Sequence, residues 1–429
     1  MRFVSLLLIV ITLGLSACAV PATSVPGSNQ SEPVRSNRPV GRQSNPRKPR
    51  LWLATDVSNI LTAAAAITPP AAPSERVQPD FYARWLTDWI KVMLRLIARD
   101  GIPPNRAARE LMLISVALND ALLIAEQSGE RIDQIALLAG AARPVLRYLH
   151  PQHSDEIDQQ VNDSLWKGLH TANPVPQTRL ERSFQIGHAI GDHVVAWARV
   201  DGSDAFRELT LPASGGWNTT KLPLDPHWGS VKTVVLPSGD TIILPPPPVW
   251  DSAQMGHEQT RFREEQRLIT DEHRALAWHW HADVGTVTPV GLWFEIAITT
   301  ALVERLDAYQ TAALMSHLGV AMHDTAVACW YNKYLYGFLR PEQWMATVDP
   351  DWKPVLPTPP HPSYPSGHAA FSAAAAEILI ASFPQHKAFF AQQAADAVRS
   401  RIVGGVHWII DGQEGMVLGQ EVARYVVTR

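Results

Sequence analysis

Residues 105–129, "NRAARELMLISVALNDALLIAEQSG", decide how the chain is read. Apolar residues recur three and four apart, the period of a helix with a buried face, and Gly129 stops the run. Upstream, "FYARWLTDWIKVMLRLIARDG" (81–101) has the same period and stops at Gly101. Three further helical stretches follow at 131–149, 155–170 and 177–200. The segment Val116-Ala117-Leu118-Asn119-Asp120-Ala121 returns as Val320-Ala321-Met322-His323-Asp324-Thr325. Gly187-x3-Gly191-x2-Val194 likewise returns as Gly415-x3-Gly419-x2-Val422. The offsets of 204 and 228 residues mean that the second copy holds about 24 more residues between its matching helices. Two collinear matches predict an all-α fold of two helical bundles, 79–200 and 261–429, that arose by duplication.

Between them, residues 201–260 read as an insertion. "VKTVVLPSGDTIILPPPP" (231–248) has two β-branched runs around Ser238-Gly239-Asp240, which predicts one β-hairpin among proline-rich loops. Helical pattern resumes at Glu258 and runs to the C-terminus, broken by a loop at 341–365.

The net charge of −4 over 429 residues gives no global field to recruit nucleic acid. Residues 1–18 carry Arg2, the apolar run Leu6–Leu15 and then Leu15-Ser16-Ala17-Cys18, which resembles a bacterial lipobox. On that resemblance residues 1–18 are a lipoprotein signal peptide and Cys18 carries the lipid. The expected location is the periplasmic face of a bacterial membrane, the outer one by preference. An ordinary signal peptide cut near Ala17 is the alternative. Residues 19–78 are rich in Pro, Ser, Asn and Arg and read as a disordered tether, with a loose helix over Leu51–Ala66. No later segment reads as a membrane span, since the most apolar one, Ala369–Ala381, is short and contains Glu377. Two cysteines, Cys18 and Cys329, exclude a disulfide framework, and Cys329 reads as a small buried hydrophobe.

Three segments carry chemistry. In Lys333-x6-Arg340-Pro341 the two cations, seven apart, share one helix face and Pro341 ends the helix. Pro365-Ser366-Gly367-His368 precedes the helix former run "AAFSAAAAEILIASF" (369–383). A helix N-terminus there offers N–H groups and a hydroxyl to an anion, with His368 in reach as proton donor. In Ser400-Arg401-x5-His407-x3-Asp411 the i,i+4 carboxylate holds one imidazole nitrogen and leaves the other as nucleophile or ligand. Gly404-Gly405 lets the backbone approach closely. Taken singly, the three also read as a solvated face, an ordinary N-cap and a structural ion pair.

In this order, with 23 and then 31 residues between them, the segments resemble the signature shared by vanadium haloperoxidases and type-2 phosphatidic acid phosphatases. The resemblance implies that Lys333, Arg340 and Arg401, with Ser366 and the Gly367 N–H, hold a tetrahedral oxyanion. His407 would bond its central atom and be the vanadate's axial ligand, His368 would act as acid/base, and Asp411 would orient His407. The function implied is halide oxidation by hydrogen peroxide at a histidine-bound vanadate. An acid phosphatase working through a phosphohistidine, with no cofactor, is the alternative within the signature. A non-catalytic phosphate-binding envelope lipoprotein is the alternative of another class. The lipid phosphatase branch has several membrane-spanning helices, so the soluble haloperoxidase-like branch is the closer resemblance.

Trp330 and His361 are the candidates for a halide or substrate pocket. Trp330, three residues before Lys333, is similar to fungal chloroperoxidases, and it also reads as a core aromatic. His361, seven before His368, stands where that branch has Phe and algal bromoperoxidases have His. The expected partners are small molecules, either peroxide and halide or a phosphate ester, with no nucleic acid and membrane contact only through the lipid. His279-x-His281-x-Asp283 has a spacing that metals use, but positions two apart do not face each other on a helix. His323-Asp324 resembles part of a metal-dependent phosphohydrolase site without its partner histidine.

Overall fold

A computed structural model describes residues 50–53, 79–169, 175–205, 211–212 and 215–428, all within one compact unit. The signal peptide, Cys18 and most of the predicted tether lie outside the described residues. Thirteen α-helices and no strand occur among the described residues. The first five are α1 (Pro79–Asp100), α2 (Pro104–Ser128), α3 (Gln134–Leu149), α4 (Ser154–Leu169) and α5 (Gln177–Ala198). The others are α6 (Ala253–Arg267), α7 (Asp271–His281), α8 (Thr288–Val303), α9 (Ala308–Tyr336), α10 (Pro341–Val348), α11 (Gly367–Ser382), α12 (Lys387–Val403) and α13 (Ile409–Thr428). The chain is therefore all-α. None of these helices is long and apolar enough to cross a membrane.

Helices α2 and α9 pack on each other and are buried along most of their length, as expected of helices that are apolar nearly all round. Gly129, at φ +68°, ends α2 as its sequence requires. One hydrophobic core runs from Leu86 to Val427, so both halves contribute to the same interior.

Each half contains the same packing unit. Helix α5 lies against α3, and α13 lies against α11. A Cβ on Gly187 would meet Leu137 O at 2.0 Å, and one on Gly191 would meet Ala141 O at 2.5 Å. On α13, Gly415 and Gly419 lie as close to Ser366 O (2.6 Å) and Ala370 O (2.1 Å). Only glycine allows either pair of helices to come this near.

The other repeated motif has a job that its sequence did not disclose. Asn119 Nδ2 donates to Arg50 O at 2.8 Å, and the Asp120 carboxylate accepts from Trp52 N and Leu53 N. One repeat later, His323 Nε2 donates to Lys232 O at 2.9 Å. Asp324 then accepts from Val234 N, Val235 N and Leu236 N, each at 2.8 Å. Each pair grips an incoming stretch of backbone: 50–53 in the first half and 232–236 in the second. Residues 51–53 are thus docked and not helical, unlike the expected loose helix.

This grip also overturns the predicted β-hairpin at 231–248. The N–H groups that a first strand would pair are taken by Asp324. Asn332 accepts from Leu244 N and donates to Ile242 O, both at 2.9 Å, and so occupies the second run. Ser238–Thr241 closes into a 3-10 turn. Side chains of α9, about 90 residues away, replace the partner strand.

A second correction concerns Lys333 and Arg340. Helix α9 stops at Tyr336 because Gly337 takes a left-handed conformation (φ +54°). Arg340 is extended and precedes α10, with Pro341 as the first helical residue, where proline is tolerated. The two cations therefore do not share a helix face, and the expected loop at 341–365 opens with a short helix.

Candidate active site

A cavity of about 140 Å³ gathers residues from both halves of the chain. Trp330, His361, Gly367, His368, Arg401 and His407 line it, with Pro104, Leu224, His281, Asp283 and Phe371 among the remainder. Larger hollows of about 620 and 410 Å³ lie elsewhere and contain no histidine.

His407 precedes α13 and is held from both sides. Arg340 Nη1 donates to its Nε2 at 3.1 Å, so Nε2 is the unprotonated nitrogen and Nδ1 carries the hydrogen. Nδ1 lies 2.9 Å from Asp411 Oδ2, the i,i+4 contact expected from the sequence. Burial, then Arg340, Lys333 and Arg401, push the His407 pKa well below 6.5, so the imidazole is neutral at pH 7.

Asp411 is fully buried. Its Oδ2 also accepts from Trp408 N at 2.9 Å and from the Ser363 hydroxyl, a partner that sequence reasoning missed because nothing in Ser363's surroundings marks it. Burial raises the Asp411 pKa to about 7, opposed by Ser363, Arg340 and Lys333.

The three cations differ in their engagement. Each nitrogen of Arg340 is engaged: Nε donates to His361 O at 3.0 Å, Nη1 to Val406 O at 2.5 Å as well as to His407, and Nη2 to His361 Nδ1 at 3.0 Å. Lys333 Nζ donates to the carbonyls of Pro362, Ser363 and Pro365 at 2.9, 3.1 and 2.5 Å. Burial presses the Lys333 pKa down to about 7, yet three carbonyl acceptors fit only an ammonium's three hydrogens. Neither is among the residues that line the cavity, although Arg340 Nη1 reaches the His407 nitrogen that an anion would approach. Arg401 is the exception. It lines the cavity, and its Nε and Nη1 are buried without a hydrogen-bond partner. Burial and Arg340 lower its pKa to about 9, still charged at pH 7.

Ser366 caps α11, with its hydroxyl accepting from Ala369 N and its N–H donating to Asp411 O at 2.9 Å. Gly367 opens the helix at the cavity. His368 Nε2 donates to Trp280 O at 3.0 Å and His281 O at 3.3 Å, which leaves Nδ1 as its acceptor nitrogen. Burial, then Arg401, lowers its pKa well below 6.5. Trp330 and His361 stand side by side, ring centroids 5.3 Å apart, with Trp330 Nε1 bonded to Leu224 O at 3.2 Å. Cys329 is a buried free thiol beneath this wall.

The three residues of the metal-like motif part company: His279 is exposed, whereas His281 and Asp283 line the cavity. Among the described residues, no group of three or more His, Cys, Asp or Glu is arranged to hold a metal ion. His323 and Asp324 are the backbone grip described above.

Buried, unpartnered guanidinium nitrogens beside a neutral imidazole suit a tetrahedral oxyanion, which accepts hydrogen bonds and offers a central atom to Nε2. Residues 313–388 match a family model described as the VCPO second helical-bundle domain. No curated protein matches the chain in sequence. Among solved structures, the fold is similar to that of the first bacterial vanadium-dependent iodoperoxidase. The TM-score is 0.72 at 24% identity, covering 83% of this chain and 97% of that one. It is also similar to a bacterial vanadium-dependent chloroperoxidase in holo form (TM-score 0.56, 13% identity, 85% and 96% covered). The apo form of a bacterial vanadium-dependent chloroperoxidase gives 0.57 at 13% identity, covering 82% and 95%. The chain thus has the fold of the vanadium haloperoxidase superfamily, and its residues 313–388 carry that fold's second helical-bundle domain.

Proposed function

We propose that this chain oxidises a halide with hydrogen peroxide, using vanadate held at His407. The observation that carries the reading is the unpartnered Arg401 guanidinium in one cavity with a neutral His407 whose far nitrogen is fixed by Asp411. Arg401 would donate to the anion's oxygens, and the Gly367 N–H and Ser366 hydroxyl stand at the α11 N-terminus that faces them. Lys333 and Arg340 would act from behind the wall, and their positive field offsets the anion's charge without reorganisation. Bound vanadate supplies Lewis acidity that activates peroxide toward a halide. His368 Nδ1 would take or return a proton at the peroxide oxygen, since Nε2 is committed to two carbonyls.

Trp330 and His361 form the wall where a halide would sit. His361 Nδ1 lies 3.0 Å from Arg340 Nη2, from which it can only accept, and 3.2 Å from Pro362 O, to which it can only donate; with the shorter contact made, Nε2 carries the hydrogen and would donate to an anion. The better fold match to an iodoperoxidase than to chloroperoxidases favours iodide or bromide over chloride. Export with a lipid on Cys18 belongs to the same proposal, and mass spectrometry of the mature N-terminus tests it.

A neutral, oriented imidazole is also what a phosphomonoesterase needs for attack at phosphorus, so phosphate-ester hydrolysis is the second reading. Purified protein is assayed with peroxide and iodide, bromide or chloride, and separately with p-nitrophenyl phosphate. Halide oxidation without ester hydrolysis supports the proposal, whereas ester hydrolysis alone supports the second reading.

A further inference from the structure

His281 belongs to no part of the three-segment signature, yet its side chain lines the same cavity as Arg401, His368 and His407. It is the last residue of α7, and the chain turns away at once through Ala282 in a left-handed conformation (φ +34°). The following turn is tied down by Asp283, which accepts from Val284 N at its carboxylate and from Thr286 N at its carbonyl. The end of α7 is also fixed to the cavity, because the carbonyls of Trp280 and His281 receive His368 Nε2. The Trp278 ring packs edge-on against the His281 ring at 5.2 Å and limits its rotation. His281 Nδ1 is nevertheless buried with no hydrogen-bond partner, as are Nε and Nη1 of Arg401. The three unpaired nitrogens thus belong to two residues that line one small cavity.

We infer that His281 is a further oxyanion-binding residue, whose Nδ1–H donates to an oxygen of the tetrahedral anion that Arg401 also holds. The inference rests on the reading of this cavity as an oxyanion site and adds a residue to it from the C-terminal end of α7. The anion's several acceptor oxygens would satisfy both Arg401 nitrogens and a hydrogen on His281 Nδ1 at once.

Calorimetric binding of inorganic phosphate and of orthovanadate to the full-length protein tests this, with His281→Ala, His281→Asn and His281→Gln beside wild type. Asparagine places an amide N–H near the position of Nδ1, and glutamine places one near Nε2. His281→Ala is expected to weaken both anions by about tenfold, the scale of one charge-assisted hydrogen bond. His281→Asn should recover most of that loss and His281→Gln little of it. If the alanine variant does not fold, the Asn and Gln variants still decide the question. Wild-type affinity in His281→Ala, or rescue by Gln and not Asn, overturns the assignment. If wild type binds neither anion, this inference falls together with the reading of the site. Weakening of vanadate alone would also overturn it, since the donor was assigned to oxygens common to both anions.

Discussion

Arg340 Nη1 donates to His407 Nε2 across 3.1 Å, so the cation occupies the very nitrogen that the central atom of an anion would need. The bond keeps the imidazole neutral, with Nδ1–H turned to Asp411, and it must be released on binding. The bonds of Arg340 to His361 O and Val406 O do not involve His407 Nε2 and would keep Arg340 in place as a charge.

The carboxylate of Asp411 is what holds that tautomer. Asp411→Asn offers Nδ1–H a weaker acceptor, and its amide can turn a donor toward the ring. Vanadate affinity should fall by roughly 10–100-fold, the usual effect of altering a ligand histidine's carboxylate partner. Equilibrium titration checks this, and an affinity equal to wild type would remove Asp411 from the account.

His368 reaches the cavity with Nδ1 only and bears no charge that holds the anion. His368→Ala should therefore leave phosphate or vanadate affinity within a few-fold of wild type. Turnover should drop by roughly 10²–10⁴. Parallel binding and rate measurements separate the two, and loss of binding as complete as in His407→Ala would show the roles to be misassigned.

The cationic wall also sets a pH dependence. Burial lowers Lys333 to about 7, and it is charged only below its pKa, whereas the Arg401 guanidinium keeps its charge. Positive charge behind the cavity therefore declines as pH rises through 7. Sulfate, whose own charge is constant in this range, should bind best below pH 7 and less above it. A bound anion raises the Lys333 pKa and moves the decline upward. Affinity that is flat or rising as pH passes through 7 and above would contradict the electrostatic account.

Asp324 supports the fold and has no part in the chemistry. It accepts from three consecutive backbone N–H groups, and Asp324→Ala leaves them buried without a partner. The cost should be roughly 3 kcal/mol or more, read from chemical denaturation. A loss under about 1 kcal/mol would mean that segment 232–236 does not depend on this grip.

What the sequence disclosed follows from the range of the forces involved. Helix period and glycine stops are local, and α1 to α5 begin and end within a few residues of the predicted limits. The contact of His407 with Asp411 was legible because they are only four residues apart, with Asp411 in the first turn of the helix that His407 precedes. The hairpin was not, since β-branched residues at 231–244 looked like paired strands while their partners were Asp324 and Asn332 on a distant helix. Lys333 and Arg340, seven apart, have helical spacing, but Gly337 between them ends α9 and breaks it. Ser363 had no signal at all, and His281 stood out only within a metal-like spacing, for each acquires its meaning only through residues far along the chain.

The central claim is tested most directly by the iodide-oxidation rate of the purified, vanadate-free protein as orthovanadate is titrated into it at fixed peroxide. The account predicts a rate that starts near background, rises with added vanadate and levels off at one vanadate per chain, with Arg401→Ala needing far more vanadate to reach its plateau. A rate that stays at background at every vanadate concentration, or one that is already maximal before any is added, would contradict it.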